Sequence, residues 1–226
     1  MSRSVKAVIA VIAVLGTWQL GVGANGIPVP KTSAAAPRTP EERAVVEYNR
    51  GLDSRNRGAK AEAQAAKSAK DSDRVKHEKK ALEEYRRALR SFEEAATLNP
   101  ELPHAWNGVG FAQRKLGDAA KALASYDRAL LLAPNFPDAI EYRGEAYLAL
   151  NRIDDAKQAY LALFAIDRKQ AELLMKAMSG WVAQRKVMPA GADPAAVSEL
   201  EKWIGERSAI AQQTRLMGRD AVYRSW

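Results

Sequence analysis

A period of 34 residues constrains this chain more than any other feature. Shifted by that interval, Pro103–Phe136 falls on Pro137–Gln170. Ala105 meets Ala139, Gly110 meets Gly144, Ala112 meets Ala146, Leu116 meets Leu150, Ala122 meets Ala156, Tyr126 meets Tyr160 and Leu132 meets Ile166. Shifted the other way, Ala88, Phe92, Ala95 and Pro100 fall on Ala122, Tyr126, Ala129 and Pro134. A fixed period of this length marks a stack of supersecondary units, each too small to bury its own apolar face. Small residues recur where two helices must cross closely, and a large aromatic recurs where consecutive units must be filled. Gly117-Asp118 and Asn151-Arg152 supply tight turns from residues that tolerate left-handed backbone. Pro134 stops a helix. Alanine is abundant, and Val and Ile are sparse beyond the first fifteen positions, which favours helices over sheets. The expected class is all-α, a solenoid of helix–turn–helix units.

The pattern resembles the tetratricopeptide repeat, W-x2-L-G-x2-Y, then A-x3-F, then A, then P. Pro103–Phe136 supplies Trp106, Val109, Gly110, Ala122, Tyr126, Ala129 and Pro134, with Gln113 in place of the first Tyr. Pro137–Gln170 supplies Gly144, Tyr147, Ala156 and Tyr160 and departs at Ile140, Leu163 and Arg168. The resemblance implies about three repeats, at 41–102, 103–136 and 137–170.

The first repeat is expanded. Gly51 and Gly58 are spaced as Gly110 and Gly117 are, so Glu41–Asn56 resembles a first helix. The matching Ala88-x3-Phe92 arrives some twenty-five residues late, which makes 59–80 an insertion. It is rich in Ala, Lys, Glu, Gln and Asp and has no Pro or Gly. It is expected to lengthen both helices into a projecting hairpin with its turn near Lys70–Asp73; a disordered loop is the alternative. Residues 171–217 carry helical spacing without the exact period, in Leu174, Met175, Met178, Trp181 and Val182 and then Val197, Leu200, Trp203, Ile204 and Ala211. They are expected to cap the array, the second helix opening at Asp193-Pro194 and ending near Met217, with a tail at 218–226.

Residues 1–24 read as a signal peptide: Arg3 and Lys6, the apolar run Ala7–Leu15, and Val22-Gly23-Ala24 as a small-residue end. An uncleaved anchor is the alternative, because Ala7–Ala24 approaches the length of a membrane span. Either way the remainder is expected to be exported, into a bacterial periplasm on compositional grounds, cleaved near Ala24 or held at the inner membrane. Residues 25–40, with Pro28, Pro30, Pro37 and Pro40, form a linker. Thr39 is placed to cap the first helix.

The chain has no Cys and two His, which excludes disulfides, thiol chemistry and Cys-ligated metal. No phosphate loop, metalloprotease signature or nucleophile elbow is present, so no catalytic, cofactor or metal site is expected and the chain reads as a non-enzyme. Its formal net charge of +8 is unevenly spread. Arg55–Arg90 holds twelve Lys/Arg against six Asp/Glu, whereas Glu101–Asp167 holds seven against nine. The excess therefore sits on the hairpin and cap, where it fits weak contact with anionic envelope surfaces. No interleaved aromatics mark a nucleic-acid surface.

By resemblance, the first helices of the repeats line a concave partner-binding groove. Its residues here are Tyr48, Leu52 and Arg55, then Asn107, Phe111, Arg114 and Lys115, then Glu141, Glu145 and Leu148. Glu141 and Glu145 stand where the chaperone-tail clamp of the family would carry basic or amide groups, so a segment with basic and apolar groups fits better than an acidic tail. His104 is expected at the groove edge or in packing. The expected function is a protein- or peptide-binding scaffold in an envelope assembly. The alternative is a membrane-tethered structural subunit that oligomerises through solenoid and anchor.

Overall fold

The computed structural model describes residues 39–188 and 191–223, with side chains as far as 214. The expected signal peptide, nearly all of the linker, and 224–226 of the tail lie outside the described residues. Among the described residues eight α-helices follow one another: α1 Pro40–Lys67, α2 Asp71–Leu98, α3 Pro103–Lys115, α4 Ala119–Leu132, α5 Pro137–Ala149, α6 Ile153–Ile166, α7 Arg168–Val187 and α8 Pro194–Tyr223. Sequence sets their ends. Thr39 and Glu42 form a reciprocal capping box, with Pro40 at the first helical position and Glu41 and Glu42 in the first turn. Prolines likewise open α3 and α5. The α3–α4 and α5–α6 turns pass through Gly117 at φ 90° and Asn151 at φ 57°. Asp118 then caps α4 by accepting from the Lys121 amide at 3.2 Å.

Successive helices pack as antiparallel pairs, α1 with α2, α3 with α4 and α5 with α6. The odd-numbered helices also touch one another in series, from α1 to α3, α5 and α7, while the even-numbered ones touch mainly their flanking odd members. This places α1, α3, α5 and α7 on the inner side of the curve. The architecture is an all-α, tetratricopeptide-like solenoid.

The core is built from alanine against aromatic rings. Phe92 is fully buried among Tyr48, Leu52, Ala88, Ala95, Val109 and Ala112. Two helices approach its ring where they lack a side chain. A Cβ on Gly51 would lie 2.5 Å from Phe92 Cδ1, and one on Gly108 would lie 2.6 Å from the same atom. Gly110 meets Tyr126 in the same way, within one repeat. Gly144 departs from its equivalent, because it faces Leu174 of α7 and so serves the contact with the following helix.

The first repeat forms two 28-residue helices, about twice the length of α3 and α4. They break at 68–70, slightly before the expected turn, because Asp71 and Asp73 already occupy the favourable first turn of α2. Beyond the contact of Gly58 with Tyr85, the hairpin is held by Ala61, Ala65 and Ala81, all at most 5% exposed. Alanine thus gives the extension a thin seam and leaves most of its charged residues in solvent.

At the other end, α7 and α8 close the array over α6. Leu174, Met178, Trp181, Val182, Val197 and Leu200 share one buried cluster with Tyr160 and Leu163. Asp193 accepts from the Ala195 amide at 3.0 Å at the start of α8. The sequence reading ends this helix near 217, whereas it continues to Tyr223 and takes in most of the expected tail. Among the described residues, no helix is long and apolar enough to cross a membrane.

Candidate functional site

The groove is centred on α3. His104, Asn107, Phe111 and Arg114 recur at helical spacing and so share one face. That face looks between α1 and α5, because its ring partners come from both. His104 meets Tyr48 of α1 edge-on at 6.1 Å and Phe136, at the cap of α5, at 4.9 Å. Two turns on, Phe111 meets Tyr142 of α5 at 5.3 Å and Tyr85 of α2 at 6.0 Å. The guanidinium groups of Arg55 and Arg114 both lie 5.6 Å from the Phe111 ring centre, and Arg114 lies 5.5 Å from that of Tyr142. Phe111 is therefore a half-buried aromatic flanked by two cations, an arrangement that favours charge over the ring faces.

Carboxylates line the α5 side. Glu145 forms an ion pair with Arg114. Burial works against the Arg114 charge, and Glu145, Tyr126 and Glu141 together more than offset it, so Arg114 is held firmly as a cation. Glu141 is 3% exposed. Burial first, then the neighbouring Glu145 charge, pushes its carboxyl up to about 8, against the opposing pull of Arg114. Asp138 accepts a hydrogen bond from the Gln170 amide and is raised by burial, with Arg55 and His104 opposing. Burial lowers His104, leaving the imidazole neutral near pH 7. At the hairpin side, Lys115 pairs with Glu62 at 2.5 Å and lies 5.3 Å from the Tyr85 ring centre, and Tyr85 donates to Glu62 at 2.8 Å.

Of the residues expected from sequence, the structure brings Arg55, Asn107, Phe111, Arg114, Lys115, Glu141 and Glu145 to this face. Tyr48 reaches its edge through His104 while packing on Phe92 at 5.6 Å. Leu52 and Leu148 belong to the core instead, Leu52 with Phe92 and Val109, and Leu148 with Tyr160, Leu163 and Leu174. Both sit on the flank of their helix that turns toward the paired helix rather than the groove. The sequence reading missed Asp138, Tyr142, Tyr85 and Glu62. The first two were legible, since Asp138, Glu141, Tyr142 and Glu145 fall on one helical face. Tyr85 and Glu62 were not, because they arrive through the hairpin, whose register on α3 no spacing gives.

A second concavity, of about 600 Å³, lies between α6, α7 and the later part of α8. Tyr160, Phe164, Arg168 and Met175 line it on one side and Ser208 and Gln212 on the other. Arg168 covers the Phe164 ring at 3.3 Å.

Residues 103–136 match the tetratricopeptide repeat family. The comparison with curated proteins found no match. Among solved structures, the chain is similar to the first tetratricopeptide domain of Spaghetti (RPAP3) bound to an HSP90 peptide, SRMEEVD. Identity there is 18%, with 59% of this chain and 94% of that one covered and a TM-score of 0.41. It is also similar to the first such domain of the human RPAP3 protein, at 19% identity over 62% of this chain and 98% of that one, with a TM-score of 0.42. The chain thus holds one unit, residues 103–136, that matches the tetratricopeptide repeat family, and that unit carries the central helix of the groove.

Proposed function

We propose that this chain is an exported, non-enzymatic scaffold that binds a partner protein or peptide in the groove formed by α1, α3 and α5, within a bacterial cell-envelope assembly. The observation that carries this reading is the cluster around Phe111. Aromatic rings, two guanidinium groups and three acidic side chains converge there from four helices. Polar and aromatic groups gathered in a concavity, with no nucleophile and base arranged beside them, suit recognition rather than bond making. Export is supported by Arg3 and Lys6 ahead of the Ala7–Leu15 run. The Lys/Arg excess on the hairpin supports an additional weak contact with anionic envelope surfaces.

The test is affinity capture with the full-length chain, comparing wild type with a Phe111→Ala, Glu145→Lys variant that retains its helical circular dichroism. The reading expects the variant to lose specific partners, and an unchanged partner set refutes groove binding. The eighteen-residue stretch Ala7–Ala24 supports a second reading, a tethered structural subunit that oligomerises. Mass spectrometry of the mature N-terminus separates them: a start at Asn25 removes the tether, and an intact Met1 in the membrane fraction removes cleavage.

A further inference from the structure

The concavity between α6, α7 and α8 is built unlike the groove. Its floor is the buried Tyr160 and Ala171, and its walls are the half-buried Phe164, Met175 and Ala211. At about 600 Å³ it falls within the usual size range of small-molecule sites. Its charges are out of balance. Arg168, exposed at the mouth, covers the Phe164 ring at 3.3 Å. Arg207 stands 5.7 Å from the Trp203 ring centre, and that ring meets Tyr160 edge-on at 5.3 Å. Among the described residues neither arginine has a carboxylate within ion-pair distance. Asp167, next to Arg168 in the chain, is occupied in capping α7, where it accepts from the Gln170 amide at 3.0 Å. The Nε of Arg207 is buried without an acceptor. Burial raises the Tyr160 hydroxyl, Arg168 and Arg207 oppose the shift, and Glu172 adds to it. Two cations and one acid therefore act on the cavity floor.

We propose that this concavity binds a singly charged amphipathic anion, a carboxylate on an apolar chain, with the headgroup on Arg168 and the chain along Phe164, Tyr160 and Met175. The donors of a guanidinium lie in its plane, so a ring beneath one face leaves them available. A carboxylate accepts two of them side by side. The walls are rings, a thioether and a methyl group, which give a chain apolar contact and little to hydrogen-bond. One negative charge brings the two-to-one balance to neutrality, whereas a cationic amphiphile would worsen it. At about 30 Å³ for each water-sized group, the volume accommodates an acid of about ten carbons. The course of α8 gives such a ligand a structural effect. As far as Ile204 this helix packs on the buried cluster it shares with α6 and α7, and beyond it Ser208, Ala211 and Gln212 face them across the cavity. A bound chain fills that space and ties the later part of α8 to the rest of the cap. The site shares no residue with α1, α3 or α5 and stands independently of the groove.

The probes are labelled decanoate, 1-decanol, decylamine and acetate, each below any micelle-forming concentration, equilibrated by dialysis against the full-length chain at neutral pH. Decanoate is expected to bind at least tenfold more tightly than each of the other three and to raise the melting temperature. Arg168→Gln is expected to erase the margin over decanol while leaving decanol itself unchanged. Ala211→Phe, which fills the cavity, is expected to remove decanoate and decanol binding alike, with Ser208→Trp as a second filling variant should Ala211→Phe lose helicity. Phe111→Ala in the groove is expected to leave decanoate binding unchanged. Equal binding of decanol marks an apolar cleft suited to a partner's side chain and overturns the anion site. Preference for decylamine, equal binding of acetate, or a margin that survives Arg168→Gln overturns it as well. Binding that ignores the filling variants lies elsewhere in the chain, and that result, or no binding of decanoate, also refutes the proposal.

Discussion

Replacing glycine by alanine inside a helix ordinarily stabilises it, by about 1 kcal/mol. In this chain the sign should depend on what stands over the glycine. At Gly51 and Gly108 the added methyl would lie 2.5 and 2.6 Å from Phe92 Cδ1. Real carbon contacts sit near 3.5–4.0 Å, so the ring must move by about 1 Å. Phe92 is fully buried against Tyr48, Leu52 and Val109 and has nowhere to go. Forcing a methyl into a filled core costs about 1–3 kcal/mol, which outweighs the propensity gain. Gly51→Ala and Gly108→Ala are therefore expected to lower stability by about 1–2 kcal/mol each. Gly180 and Gly205 also lie within helices, with nothing within 4 Å of a built Cβ, so alanine there is expected to be neutral or to add up to about 1 kcal/mol. Urea titration followed by circular dichroism reads the difference as shifted midpoints at constant slope. Adding Phe92→Leu supplies a cross-check: it costs stability alone, but combined with Gly108→Ala it should cost less than the sum, because the smaller side chain makes room. If all four alanine variants shift the midpoint in the same direction, the ring contact does not decide the sign and the packing argument fails.

Three further outcomes follow from the groove and its surroundings. Glu141 is raised from the usual carboxylate value to about 8, so between about pH 4.5 and 8 the folded chain holds a proton the unfolded chain has lost, and stability falls as pH rises through that window. Glu141→Gln removes this slope, and its advantage over wild type should grow to about 2–4 kcal/mol at pH 8, with melting curves that stay parallel from pH 4 to 8 as the contrary result. Asn151 holds φ 57° and donates to the Gly191 carbonyl at 3.3 Å. Asn151→Ala should cost about 1 kcal/mol in the same urea assay, while Asn151→Gly costs less; equal losses would mean that the hydrogen bond, not the backbone, matters. The basic hairpin should hold the chain on vesicles containing anionic lipid in 20 mM salt and release it by about 0.3 M, and retention in high salt would point to apolar insertion instead.

The repeat arithmetic was legible because it rests on packing that only particular residues permit. Gly110 and Ala122 report a close helix crossing, and Tyr126 reports the space beside it, so their 34-residue spacing carries the fold directly. Gly117 and Asn151 marked their turns for the same reason, both adopting the left-handed backbone. The groove was only half legible. Helical spacing finds a face but not its rotation, so Leu52 and Leu148 were assigned to a surface from which the real helix turns them into the core. Tyr85 was invisible as a groove residue, since its contact with Phe111 depends on how far the extended hairpin slides along α3. Local periodicity holds no record of that displacement.

The length of the first hairpin also acts as a fixed ruler. Its helices exceed α3 and α4 by 14–15 residues, roughly 20 Å at the helical rise, with most of that excess beyond Gly58 and Tyr85. The charged tip and the Phe111 site are therefore joined by paired helices and not by a flexible tether. For a flexible tether, effective concentration at the second site is set by chain statistics and falls only slowly with mismatch. For a stiff arm it is high at one separation and collapses on either side. A partner touching both surfaces is thus selected by the distance between its own two contact points as well as by their chemistry. Shortening the hairpin by matched deletions in α1 and α2 would change which partners qualify without altering a single residue of the groove.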